Sequence, residues 1–182
     1  MGVRILLMGL DRWPVGGSEE QPAGAETLCV SNTFVPLFWL LPYRHSDLQL
    51  LKLDDVSGSY PVLVARREDM LERLERSVEP VAGLLGEKAL PLLQQWRDYL
   101  GSLAAPVIAL ETYELWAAFA DKQGLKDQLL DQLEALEHLV STGHLSEPLN
   151  AALLEPSNLL LPGSSKLCLD DISLAGFGWR EY

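Results

Sequence analysis

Side chains able to do chemistry are present in this chain, but their spacing rarely lets them act together. His45, Ser46 and Asp47 name the members of a hydrolytic triad. Consecutive side chains diverge, however, and a proton relay needs them to converge. Asp54-Asp55 and Asp170-Asp171 are the other pairs of interest. If the two pairs met in space, they would form a carboxylate site for acid–base work or for a divalent cation. Each pair sits near a Ser and a Leu in a setting that reads as a turn or strand edge, which is the preferred reading. His138 and His144 are six residues apart, which does not put two imidazoles on one helix face for a metal. Glu134 and His138 share a face at i, i+4, as a solvated helix surface also would. Neither a Gly-x-Ser-x-Gly elbow nor a phosphate-binding Gly-x-x-x-x-Gly-Lys-Ser/Thr loop occurs. No catalytic residue, metal site or cofactor is therefore expected.

Charge is more informative than motif. The 182 residues carry 26 acids against 14 bases, a formal net charge of −12. A protein of that sign repels the phosphate backbone, so nucleic acid is disfavoured as a partner and a basic protein is favoured. The charge is also concentrated. Residues 111–155 hold nine acids and only two bases, Lys122 and Lys126, a net −7. Within that stretch Asp127, Asp131 and Glu134 recur at steps of four and three, with Glu137 beside them. Together with Trp13, Trp39 and Trp179 they are the candidate partner-binding residues, because tryptophan buries a large area at interfaces.

The elements that must position these residues follow from periodicity. Val3 to Leu10 reads as a buried strand, and residues 11–26 as a Gly/Pro loop. A short strand is expected at Leu28 to Val30. A brief helix capped by Ser31 or Asn32 would then run through Leu41, with Pro36 in its first turn. Leu48 to Leu53 and Pro61 to Ala65 can pair as a hairpin across the turn 54–59. Leu71, Leu74, Val78, Val81 and Leu85 form one apolar helical stripe, which Pro80 should kink or break. Lys88 to Leu103 is a second helix. Val107 to Leu110 is either a strand or the run-in to a helix carrying Tyr113, Trp116 and Phe119.

The clearest helix runs from about Leu125 to Val140. Its stripe is Leu129, Leu133, Leu136 and Val140, and Gly143 stands where a C-terminal cap belongs. Lys166 to Leu169 and Gly178 to Tyr182 read as further strands. The whole is a single α+β domain over 1–182. Its parts are a strand- and loop-rich section (1–66), a helical section (67–155) and C-terminal strands (156–182). Cys29 and Cys168 lie far apart in apolar surroundings and read as two reduced, buried thiols. No run approaches the roughly 18 apolar residues of a membrane-spanning helix, and the first apolar run lacks a signal-peptide cleavage pattern. A cytoplasmic location is expected.

The order of these elements resembles that of small bacterial immunity proteins encoded beside secreted antibacterial toxins, including type VI secretion effectors. The resemblance rests on the apolar first strand, the aromatic segment Phe34, Phe38 and Trp39, the run Pro61 to Ala65 leading into the Glu/Arg-rich stretch 67–79, and the ending Gly178 to Tyr182. It implies an inhibitor that binds a cognate toxin, often a nuclease or other basic enzyme, in the cytoplasm. It assigns no individual residues. Two other readings stay open: a carboxylate- or metal-dependent enzyme using Asp54, Asp55, Asp170 and Asp171, and an acidic adaptor or chaperone for a secreted effector.

Overall fold

The structure, a computed structural model, describes residues 3–13, 24–32, 34–52, 58–119, 121–144 and 175–176. Within them five strands form one antiparallel sheet: β1 (Arg4–Leu10), β2 (Glu26–Asn32), β3 (Leu48–Lys52), β4 (Ser59–Arg66) and β5 (Val107–Glu111). Their order across the sheet is β2-β1-β5-β4-β3. The helices are α1 (Leu37–Leu40), α2 (Arg67–Arg76), α3 (Val78–Leu85), α4 (Leu90–Ser102), α5 (Tyr113–Ala118) and α6 (Lys122–Thr142). Short 3-10 turns at His45–Asp47 and Glu87–Ala89 precede β3 and α4. This is an α+β domain, as the periodicity predicts.

Register explains how the sheet divides its residues. Leu7 lies opposite Leu110, and Leu110 opposite Leu63, while Met8 lies opposite Ala109 and Ala109 opposite Val64. Opposed residues share a face and successive residues alternate. One face therefore carries Leu7, Leu63 and Leu110, and it joins the buried residues of all six helices in the main core. The other carries Leu10, Val62, Val64, Val107 and Ala109, a second buried cluster to which no described helix contributes. At the β1–β2 edge the register slips between Leu7 and Met8. Gly9 lies beside that irregularity, and a Cβ there would come 2.8 Å from the Ala105 Cβ, so only glycine lets residue 105 approach the strand.

Three expectations change. The helix before Pro42 does not start at Ser31 or Asn32, because both belong to β2. Its N-cap is Pro36 itself, and a proline biases the residue before it toward extended backbone, so the helix cannot grow backwards. The long stripe from Leu71 to Leu85 does break, but at Ser77, between α2 and α3. Pro80 has no N–H for the carbonyl of Arg76, which is the last residue of α2. The span 67–155 is not purely helical, since Val107–Glu111 is the central strand. The hairpin of β3 and β4 forms as expected, with Leu48 opposite Leu63 and Lys52 opposite Ser59. The proposed strands after residue 156 lie outside the described residues.

Aromatic residues close the core. Trp39 and Trp96 stack with centroids 6.4 Å apart. Their indole N–H groups donate to the carbonyls of Ala175 (2.7 Å) and Phe38 (3.2 Å), and the Tyr43 hydroxyl donates to that of Ile108 (3.3 Å). Each large ring thus buries its area with its polar tip satisfied. No helix among the described residues is long and apolar enough to cross a membrane.

Candidate interaction surface

Helix α6 presents the acidic residues, and its sequence explains where it begins and ends. Asp121 is the N-cap, its carboxylate accepting the Gln123 N–H at 3.1 Å. Gly143 ends the helix in the left-handed conformation (φ 71°), its N–H donating to Leu139 at 2.8 Å. Between the caps Leu125, Leu129, Gln132, Leu133, Ala135, Leu136 and Leu139 face the core. Asp127, Asp131, Glu134, Glu137 and His138 are exposed on the opposite side.

These acids are not equivalent. Gln123 Nε2 donates to Asp127 Oδ1 at 2.9 Å. Glu137 Oε1 accepts the backbone N–H of His45 at 2.8 Å, fastening the 3-10 turn to the helix. Asp131 and Glu134 make no ion pair with any described cation. The rest of the acidic stretch is largely committed elsewhere. Glu114 pairs with Arg4 from β1 through contacts of 2.5 to 2.9 Å, and the guanidinium hydrogen bond holds its carboxyl below the usual range. Glu111 is half-buried beneath Tyr60 and Tyr113. It accepts the Tyr60 hydroxyl at 3.0 Å and the Tyr113 N–H at 2.6 Å, yet burial still raises its carboxyl above the ordinary value. Glu147 and Glu155 lie outside the described residues. Among the described residues of the segment, the exposed acids without an ion pair therefore lie along α6 and its N-cap.

The tryptophans separate in the same way. Trp13, just beyond β1, is 41% exposed and remains available to a partner. Trp39 is not a surface residue: it is 0% exposed, packed on Trp96 and hydrogen-bonded to Ala175. Four apolar neighbours in sequence, Leu37, Phe38, Leu40 and Leu41, are buried with it, because α1 is enclosed on all sides rather than on one stripe. Trp179 lies outside the described residues.

The triad-like run has a structural job. The Asp47 carboxylate accepts the Arg44 N–H at 2.8 Å and pairs with Arg73, which also donates to the Pro42 carbonyl at 2.9 Å. The pair is nearly enclosed, with side chains 14% and 10% exposed. His45 makes its described contacts through backbone atoms alone: its N–H donates to Glu137 and its carbonyl accepts the Leu48 N–H. No cluster of three or more His, Cys, Asp or Glu side chains able to hold a metal occurs among the described residues. Asp54, Asp55, Asp170 and Asp171 lie outside them, as does Cys168. Cys29 is buried, and desolvation raises its thiol to about 12 although Tyr99 lies within hydrogen-bond reach, so the thiolate that would react is suppressed.

Sequence reading missed the Asp47–Arg73 pair and the Tyr60–Glu111 contact. Their members are 26 and 51 residues apart, and no periodicity links such positions. No protein-family model, curated protein or solved structure matches this chain.

Proposed function

We propose that this protein works by binding another protein and, in keeping with its resemblance to immunity proteins, neutralises a basic toxin in the bacterial cytoplasm. One observation carries the reading: Asp131 and Glu134 project from a well-capped helix whose opposite face is locked into the core, and no described cation neutralises them. A rigid acidic ridge suits the positive surface that a nuclease needs to hold nucleic acid. Asp127 and Glu137 extend the ridge by a turn on either side, and Trp13 offers an exposed aromatic anchor elsewhere on the surface. Nucleic acid and cofactors have no part in this mechanism.

The test is surface plasmon resonance against the product of the neighbouring gene. Steering by the ridge is screened over a Debye length of about 8–10 Å, so association should slow steeply with salt. Reversing both charges, Asp131→Lys with Glu134→Lys, should slow association about tenfold or more at low salt. An unchanged association rate, with the fold intact by circular dichroism, would rule out the ridge as the binding surface.

A further inference from the structure

A second feature lies where α6 meets the α2–α3 corner and the turn after α1. A cleft of about 450 Å³ opens there, lined by Leu41, Leu136 and Val140 as an apolar floor and by Arg44, Arg73 and Arg76. That volume is within the roughly 300–1,000 Å³ of small-ligand sites. Three of the chain's 14 bases converge on this one concavity, although the molecule as a whole carries −12.

The three guanidiniums differ in how far they are engaged. Arg73 spends one nitrogen, Nη1, on Asp47 and Pro42. Its other N–H groups have no partner among the described residues. Arg76 is 59% exposed and pairs with Glu72 along α2, a solvated i, i+4 contact worth little. The Arg44 guanidinium has no hydrogen-bond or ion-pair partner among the described residues; only its backbone is engaged. Glu137 is the sole acid among the described lining residues, and one of its oxygens accepts the His45 N–H. The cleft therefore offers spare planar donors above an apolar floor. A guanidinium meets a carboxylate through two parallel hydrogen bonds, a geometry it shares with few other ligand groups.

We infer that this cleft binds an apolar carboxylate, a branched aliphatic group lying on Leu41, Leu136 and Val140 with its carboxylate held by Arg44 and Arg76. Asp131 and Glu134 are not on the described lining, which shares only Glu137 with the acidic ridge, so the proposal stands whether or not that ridge binds a toxin. Two sources share this chemistry: the C-terminal residue of another chain and a free branched-chain acid.

Calorimetry on the full chain tests it with N-acetyl-leucine, isocaproate, N-acetyl-leucinamide and acetate, and NMR of backbone amides and arginine side chains maps the contact. N-acetyl-leucine should bind at least about tenfold more tightly than its neutral amide, the loss expected when charged hydrogen bonds are removed. Acetate, which has no apolar group, should bind more weakly than isocaproate. Preference for N-acetyl-leucine over isocaproate identifies a chain end, and equal or reversed affinity identifies a free acid. Arg44→Gln and Arg76→Gln, both at exposed side chains, should each weaken binding several-fold with unchanged circular dichroism. Equal binding of acid and amide, no binding, unchanged affinity in both variants, or shifts mapping away from the cleft would each overturn the proposal.

Discussion

Two contacts between residues far apart in sequence place carboxyl groups in partly enclosed surroundings. Asp47 and Arg73 are a nearly enclosed pair, and removing one partner leaves the other charge desolvated. Asp47→Ala should cost about 3–5 kcal/mol in urea denaturation, and Asp47→Ala with Arg73→Met distinctly less. Glu111 behaves differently, because burial has raised its carboxyl above the unfolded value. Its folded form therefore holds the proton more readily than the unfolded chain does. The stabilisation from that preference is complete below the unfolded pKa and is lost as pH rises through the folded one. Glu111→Gln, whose one oxygen can accept the Tyr113 N–H while its amide N–H donates to the Tyr60 hydroxyl, should thus gain stability relative to wild type as pH rises to 7. The difference should shrink as pH falls toward the carboxylate range. A stability difference independent of pH would show that Glu111 is not desolvated.

At the scale of elements, α6 is the clearest case of one helix with two roles. Its core stripe anchors the fold and its outer face is free to vary. Leu133 is fully buried, so Leu133→Ala should cost roughly 2–5 kcal/mol. Asp131→Asn, on the exposed side, should change stability by less than about 0.5 kcal/mol. Thermal melts of the two variants check this, and reversed magnitudes would mean the faces are misassigned. The cap at Gly143, the hairpin of β3 and β4, and a break in the helical stripe near Pro80 are local features of the same kind. Each depends on residues within a few positions of one another, which is why each is legible in the sequence.

For the whole molecule the decisive feature is the order β2-β1-β5-β4-β3. The central strand β5 pairs with β1, about one hundred residues earlier, and with β4 on its other side. Loops of that length must close before the pairing stabilises anything, so folding should be slow for a helix-rich chain, in the millisecond-to-second range. Unfolding should be one cooperative transition, with tryptophan fluorescence and far-ultraviolet circular dichroism superimposed. Separate midpoints for the two probes would show that the helices form a unit independent of the sheet.

Local pattern by itself determined the α+β class, the principal helices, the hairpin and the acidic face of α6. Those properties depend on residue type and on spacings of two or of three to four, which any chain of this sequence carries before it folds. Only the tertiary structure decided that Trp39 is enclosed and Trp13 exposed, since residue type does not separate two tryptophans and burial depends on what packs from elsewhere. It decided that 107–111 is the centre of the sheet, because a short apolar run reads equally as strand or helix until a distant strand pairs with it. It also sorted the described acids of residues 111–144. Glu111 is half-buried under Tyr60 and Glu114 is paired with Arg4, while Asp131 and Glu134 stay in water. Charge is counted along the chain, but desolvation and pairing are set by neighbours that the chain brings back from a hundred residues away.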